Sequence, residues 1–318
     1  MKDKNSEFRL FWRMLRKNKL AMLGLIILTL IVLTAIFANV LAPYDYTAQN
    51  LANMKKFPSM EHPFGTDEFG RDILSRIIYG TRQSLVIGVG SIAIAVLAGG
   101  LIGLISGFYG GWLDNLLMRI TDVMMAIPGM LLAIAIVAAL GSSLKNLLIA
   151  IAIAKLPNFA RIMRATVMSA REQEYVTASK VMGIPNWKIL LEDILPNSLS
   201  PMIVQATLGI AFAILTAAGM SFMGLGIQPP TPEWGAMLSN ARVYIRDAWH
   251  VTVIPGLGIM LTILSLNLMG DGLRDAMDPK LTPSVHVHRT SSLATLLSRA
   301  CTNSVLRLMV QLSPAAVT

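Results

Sequence analysis

The sequence has little charge and almost no cysteine. Only 14% of its 318 residues are charged, whereas about a quarter of the residues in a soluble domain carry a charge. The single cysteine, Cys301, excludes an internal disulfide and a cluster of thiolate ligands, and the chain has only four histidines. These scarcities argue against a soluble enzyme and against a thiolate metal centre.

The sequence also lacks the short motifs of several catalytic classes. It has no Gly-x-x-x-x-Gly-Lys-Ser/Thr pattern, so we expect no P-loop for ATP in this chain. Neither Gly-x-Ser-x-Gly nor His-Glu-x-x-His occurs. His62, Asp67, Glu68 and Asp72 form a polar cluster, but their spacing matches neither a zinc motif nor an EF-hand. We therefore expect no catalytic site, cofactor or metal ion in this chain.

Apolar sequence, in contrast, is abundant. Hydrophobic residues make up 54% of the chain, and the mean hydropathy is +0.60. A basic segment, 1–20, precedes an uncharged run that is longer than the core of a signal peptide, about 7–15 residues. Because a bilayer core needs about 20 apolar residues per helix, the pattern predicts an all-α integral membrane protein. Its six transmembrane helices are expected at about 21–42, 84–107, 117–140, 146–167, 200–225 and 251–269.

Small residues in the second predicted helix indicate close helix packing. Gly99, Gly103 and Gly107 recur every fourth residue, a spacing that lets membrane helices approach each other closely. Pro128 lies inside the third predicted helix, 117–140, and is expected to kink it because proline cannot donate the helical hydrogen bond.

Charged residues fall inside two of the predicted spans, 117–140 and 146–167. Lys155 lies near the middle of 146–167, where an ionised side chain is costly and by default suggests a function. Lys155 either lies on a solute pathway, or its long stem snorkels or meets a carboxylate such as Asp122, and we prefer the structural pair. Asp122 can also pair with Arg119, one turn earlier in its own helix.

The loop 168–197, here called the coupling loop, is predicted to be a helix, a break and a second helix. The first amphipathic stripe ends at Met182. Gly183 suits the position after a helix C-cap, and Pro185 suits the first turn of a new helix. Such a bent loop is either an ordinary interfacial hairpin or a docking element for another protein, and the spacing alone does not decide between them.

The charge distribution predicts that both termini are cytoplasmic. With six spans the termini lie on one side, and that side would hold about twice as many Lys and Arg residues as the other, as expected for the inside of a membrane. This N-in/C-in topology makes 43–82 an external loop and places the coupling loop in the cytoplasm.

The coupling loop resembles the cytoplasmic loop signature of permease subunits of bacterial ABC importers. The resemblance rests on Ala178, Gly183 and the run Ile194 to Asn197, while Thr177 and Ser179 stand where the family usually has Glu and a second Ala. In that family the bent loop sits in a groove of the ATPase subunit. The resemblance therefore implies the following ATPase-coupling residues: Thr177, Ala178, Ser179, Gly183, Ile194, Leu195 and Pro196.

Three further motifs resemble the dipeptide/oligopeptide-type permeases. They are the string from His62 to Arg76 in the external loop, the Gln-Pro-Pro segment starting at Gln228, and the exit from Gly270 to Lys280. Together the motifs span roughly 10–280. They imply the type I ABC importer permease fold, a six-helix domain at 21–280 in the cytoplasmic membrane, and a C-type subunit. The expected cargo is di- or oligopeptides, and nickel, glutathione or another small solute is the alternative.

The resemblance also implies partners. A permease of this type pairs with a homologous second permease, two P-loop ATPases that bind ATP and magnesium, and an extracellular solute-binding protein, with no role for nucleic acid. Binding-protein contacts are expected at Gln228, Pro229, Glu233 and Trp234, and pathway positions at Asp122 and Lys155. A secondary transporter would need inverted repeats or several intramembrane carboxylates, which we do not find. The tail 281–318 extends beyond the usual end of the family and is expected to be disordered.

Overall fold

The computed structural model describes residues 12–277, which fold into helices joined by loops. The predictions for residues 1–11 and for the tail 281–318 lie outside the described residues. In chain order the main helices are α1 (Lys19–Ile36), α2 (Ile73–Tyr109), α3 (Gly111–Ala126), α4 (Gly129–Leu140), α5 (Leu144–Arg171), α6 (Glu174–Val181), α7 (Leu195–Phe222), α8 (Trp234–Ala241) and α9 (Trp249–Met277).

The number of spans agrees with the prediction of six. Five helical stretches are long and apolar enough to cross a membrane: α1, α2, α5, the run Asn186–Phe222 that ends in α7, and α9. The pair α3 and α4 passes the same test together and would be the sixth span. The all-helical membrane architecture inferred from composition is therefore confirmed.

Helix α2 begins at Ile73, so the helix that contains the predicted span 84–107 starts earlier than that span. The Asp72 carboxylate accepts a hydrogen bond from the Ser75 amide at 2.7 Å and so caps the helix. The short helix that we expected to begin near Asp67 is instead a turn, in which Asp67 Oδ1 accepts the Phe69 and Arg71 amides, each at 2.9 Å. The side chain of Asp67 thus ties up the amides that a helix there would use.

The prediction of one kinked helix over 117–140 is corrected. The chain forms two helices that meet at 87°, with Ile127 and Pro128 both extended between them. Proline disfavours helical geometry in the residue before it as well as removing a donor. At this position the break is complete, and α3 lies across α4.

The glycine spacing of α2 does produce close packing, as predicted. A Cβ atom added at Gly103 would lie 2.2 Å from the carbonyl oxygen of Ala160, and one at Gly99 would lie 2.5 Å from that of Leu156. At Gly107 the corresponding distance to the Arg164 oxygen is 2.8 Å. The backbones of α2 and α5 are therefore in direct contact, which fixes the rotation of α5 and the direction in which its polar side chains point.

Candidate functional site

The coupling loop has the predicted helix, break and helix. Helix α6 ends in a Schellman motif, in which the Gly183 amide donates to the Lys180 oxygen at 3.0 Å and the Ile184 amide to the Ser179 oxygen at 3.1 Å. Gly183 has φ +74°, a left-handed conformation that side chains with a Cβ disfavour. Pro185 then precedes the helical turn Asn186–Lys188.

Buried side chains hold the coupling loop against the rest of the chain. Val176, Ile189 and Ile194 are fully buried, and the Ser179 hydroxyl donates to Asp193 Oδ2 at 2.9 Å. The Asn197 amide group donates to the backbone oxygen of Asp193 at 2.7 Å. The first helix is therefore bound to the second by a polar contact as well as by apolar packing, so the loop keeps its bent shape.

The outer face of the coupling loop is apolar and exposed. Val181 is 84% exposed, Met182 70% and Trp187 63%, and Thr177 and Ala178 are exposed beside them. Large apolar side chains that cluster on a surface usually mark a contact with another protein or with the membrane. Aromatic and methionine side chains are also enriched at protein interfaces.

The second helix of the coupling loop is continuous with a membrane span. The turn Asn186–Lys188 runs into a π-helical segment, Ile189–Ile194, and then into α7. The helix that contains the predicted span 200–225 therefore begins before that span, with Leu195 and Pro196 in its first turn. The coupling loop and α7 are therefore joined by one continuous helical run, Asn186–Phe222.

Asp122 has a partner that the sequence did not indicate. Its Oδ1 lies 2.6 Å from Arg161 Nη2 of α5, and neither Arg119 nor Lys155 forms this ion pair. The break at Pro128 turns α3 away from α4 and towards the end of α5 that leads to the coupling loop, so Asp122 meets Arg161. The preferred pairing of Asp122 with Lys155 is therefore wrong.

Lys155 lies on the same helix without an acidic partner. Within residues 12–277 no carboxylate oxygen lies within 4.0 Å of its ammonium group. Lys155 Nζ lies 5.4 Å from the ring centroid of Phe212 on α7, within the range of a cation–π contact. Lys155 is partly buried, whereas 55% of Phe212 is exposed.

A second ion pair, which the sequence analysis did not identify, joins α3 to α5. Asp114 receives two hydrogen bonds from Arg164, both at 2.6 Å, and a third from the Ser106 hydroxyl of α2. Arg171 donates to the carbonyl oxygen of Phe108 at 2.9 Å. Since bidentate contacts between Arg and a carboxylate are directional, this cluster orients α3 against the end of α5 that leads into the coupling loop.

The segment after α7 divides into an exposed part and a buried part. Gln228 and Pro229 are exposed. Glu233 is 2% exposed and caps α8 by accepting the Gly235 and Ala236 amides at 2.9 and 2.8 Å. Trp234 is also 2% exposed, and its Nε1 donates to the Ile77 oxygen at 3.1 Å. Glu233 and Trp234 therefore stabilise the segment from its buried side, whereas Gln228 and Pro229 are exposed on its surface.

The polar cluster of the loop before α2 is held together by ion pairs. His62 Nδ1 lies 2.9 Å from Asp72, and Arg71 Nε lies 2.6 Å from Asp67. Burial, together with the neighbouring Asp67 carboxylate, raises the pKa of Glu68 above its ordinary value. Across residues 12–277 no group of three or more His, Cys, Asp or Glu side chains is arranged to hold a metal ion. The cluster fastens the loop to the start of α2.

Comparison with known proteins gives this arrangement a family. The model of the binding-protein-dependent transport system inner membrane component matches residues 99–283. The model of the N-terminal TM domain of oligopeptide transport permease C matches residues 6–58.

Curated relatives match over most of their length. A dipeptide transport system permease protein, DppC, from Alkalihalophilus pseudofirmus is 52% identical over 87% of this chain and 91% of its own. A di/tripeptide permease from Pseudomonas aeruginosa is 49% identical over 87% of this chain and 93% of its own. A glutathione permease, GsiD, from Pectobacterium atrosepticum is 45% identical over 88% of this chain and 93% of its own.

A solved structure shares the fold. The MetNI methionine ABC transporter, in an inward-facing conformation, has a chain that superposes with a TM-score of 0.52 at 16% identity. The superposition covers 64% of this chain and 97% of that one, so the core helices have the type I ABC permease arrangement. This chain belongs to the family of binding-protein-dependent transport system inner membrane components, as a multi-pass permease subunit of the inner membrane.

Proposed function

We propose that this chain is the permease subunit through which an ATP-driven importer moves di- or oligopeptides across the cytoplasmic membrane. The observation that carries the proposal is the continuity of the coupling loop with α7, which links an exposed docking face to a membrane span. Two of the relatives are named for dipeptide or di/tripeptide transport, which supports peptides as the cargo and does not favour nickel.

The chain then supplies the conduit, and separate subunits supply the energy. Two P-loop ATPases would bind ATP and magnesium, and this chain itself would be no enzyme and hold no cofactor. A homologous second permease would complete the membrane-spanning pair, because polar side chains on the exposed face of α5 need a protein or aqueous neighbour within the bilayer. An extracellular solute-binding protein would deliver the cargo.

The proposed topology is N-in/C-in. It places the coupling loop in the cytoplasm, where Val181, Met182 and Trp187 would contact an ATPase subunit. The loop 43–72 and the exposed Gln228 and Pro229 would then lie outside, and we propose that these two residues contact the binding protein.

Alternating access follows from the way the helices are joined. Closure of the ATPases would push the coupling loop, and the continuous helical run Asn186–Phe222 would carry that motion into the membrane. Helix α3 would follow α5, because Asp114 is bound to Arg164 and Asp122 to Arg161. The pathway at the subunit interface would thereby close on one side and open on the other.

Uptake measurements test the proposal. We would compare uptake of a labelled dipeptide and of radioactive nickel in cells with and without this gene, with the protein detected in the membrane fraction. We expect deletion to abolish dipeptide uptake and to leave nickel uptake unchanged. Loss of nickel uptake alone would contradict the peptide assignment, and unchanged uptake of both would require a different solute.

A further inference from the structure

The exposed face of α5 carries a polar stripe. Lys155, Asn158 and Arg161 follow each other at intervals of three residues and lie on one side of the helix. The opposite side packs into the core against α2, where Ala160 and Met163 are at most 4% exposed. Polar groups in the hydrocarbon region rarely face lipid and usually face a bundle interior or a water-filled cavity. The stripe therefore marks the side of α5 that faces the solute pathway.

Charge balance distinguishes the two basic residues of the stripe. Arg161 is neutralised by Asp122 at 2.6 Å. Lys155 has no carboxylate within 4.0 Å among the described residues, and its neighbour Phe212 is uncharged. At 1.5 Å per residue, Lys155 lies about 17 Å from the Leu144 end of α5 and about 24 Å from the Arg171 end. The uncompensated positive charge therefore lies deep within the span.

We propose that Lys155 binds the carboxylate of the cargo as it passes and so selects for solutes that carry one. This inference rests on the proposed transport function and deepens it. An ammonium group offers three donors and no acceptor, and it therefore complements a carboxylate. The Phe212 ring stabilises the cation without neutralising it, so the charge stays available to the solute.

The same charge makes a bare metal cation a poor cargo. Every peptide with a free C-terminus carries the carboxylate that Lys155 would bind, whereas a nickel ion would be repelled at mid-membrane, where electrostatic interactions are weakly screened. Lys155 is thus a specificity-determining residue within the permease, in addition to any selection by the binding protein.

The test uses the complete transporter in proteoliposomes, with saturating loaded binding protein, so that affinity for the binding protein does not limit the rate. The variants are Lys155→Met, Lys155→Gln and Lys155→Arg. Lys145→Met is the matched control, because Lys145 is an exposed lysine at the end of the same helix. The cargoes are alanyl-alanine, which has a free C-terminal carboxylate, and alanyl-alanine amide, which has none, and the readouts are the maximum uptake rate and the ATPase rate.

We expect Lys155→Met and Lys155→Gln to lower the maximum uptake rate of alanyl-alanine by about tenfold, since hydrogen bonds to charged groups are of that magnitude. The rate for alanyl-alanine amide should fall less, and the ratio of the two rates should move towards one. Lys155→Arg and Lys145→Met should keep the wild-type ratio.

Several results would overturn the inference. Wild-type uptake in an assembled Lys155→Met or Lys155→Gln transporter would do so, and an equal loss for both cargoes would mean a merely structural role. Lys155→Met and Lys155→Gln are both included because one assembled complex is enough for the test. If neither assembles while Lys155→Arg does, the role of Lys155 would also be structural. Absence of dipeptide uptake by the wild-type complex would instead overturn the proposed function itself.

Discussion

The left-handed backbone at Gly183 permits a graded test of the coupling loop. A Cβ atom added there would meet nothing within 4 Å, so a substitution perturbs only the backbone. For a residue with a Cβ, the left-handed conformation costs about 1–2 kcal/mol. Relaxing out of it would break the two hydrogen bonds of the Schellman motif, each worth about 1 kcal/mol. Because the variant either keeps the strained conformation or loses the hydrogen bonds, Gly183→Val should destabilise this turn by about 1–2 kcal/mol.

A cost of that size lowers the population of the native turn by about tenfold, so we expect the bend at Gly183 to be less well defined. The assay is the ratio of solute imported to ATP hydrolysed by the complete transporter in proteoliposomes. Gly183→Val should lower this ratio by about tenfold, since 1.4 kcal/mol corresponds to a factor of ten. The coupling ratio of Gly183→Asn should lie between those of the wild type and Gly183→Val, because Asn tolerates the left-handed conformation better than most residues with a side chain.

The chain contains a matched control. Gly141 also has a positive φ, +89°, and an added Cβ there would likewise meet nothing within 4 Å. It lies between α4 and α5, outside the coupling loop, so Gly141→Val should leave the coupling ratio near the wild-type value. Wild-type coupling in Gly183→Val would refute the reasoning. An equal loss in both variants would show a general effect of strain.

Three further predictions concern contacts of the described residues. Trp234→Ala should lower the unfolding free energy of the purified complex by about 3–5 kcal/mol, because the ring is buried. Trp112→Ala is the control, since Trp112 is 76% exposed and its removal should change the melting temperature little. Similar melting temperatures for the two variants would contradict the assigned packing. Arg164→Gln should lower the unfolding free energy by about 2–3 kcal/mol, and adding Asp114→Asn in the double variant should recover part of that loss. Additive losses of unfolding free energy in a double-mutant cycle would argue against the ion pair. Ser179→Ala should increase the hydrogen-exchange rate of the α6 amides about fivefold, because a contact of about 1 kcal/mol is lost, and unchanged protection would mean that the hydroxyl contributes nothing.

Much of the candidate site could be predicted from local sequence. The bend at Gly183 follows from the need for a left-handed residue after a helix and from a proline two residues later. The close approach of α2 to a neighbour follows from its three spaced glycines. Both features depend on residues within a few positions of one another, and periodic patterns report such short-range constraints well.

The contacts between distant residues could not be predicted in this way. Asp122 is 39 residues from Arg161, Asp114 is 50 residues from Arg164, and Trp234 donates to the oxygen of Ile77, 157 residues away. The sequence offered Lys155 and the nearer Arg119 as partners of Asp122, but the full break at Pro128 brings Asp122 to Arg161 instead. A proline fixes where a helix is weakened, but the packing of the flanking helices decides whether it bends or breaks.

The sequence by itself determined that the chain is an all-helical membrane protein with a bent loop between two spans. Its apolar runs and its placement of glycine and proline act over one or two helical turns. The bilayer requires that each apolar run form a helix, because backbone polar groups in lipid must be satisfied internally. Only the tertiary structure decided that Arg161 is neutralised by Asp122, that Lys155 has no acidic partner among residues 12–277, and that Trp234 is buried. Those outcomes depend on the rotation and crossing of the helices, which is set by packing over the whole chain and not by local pattern.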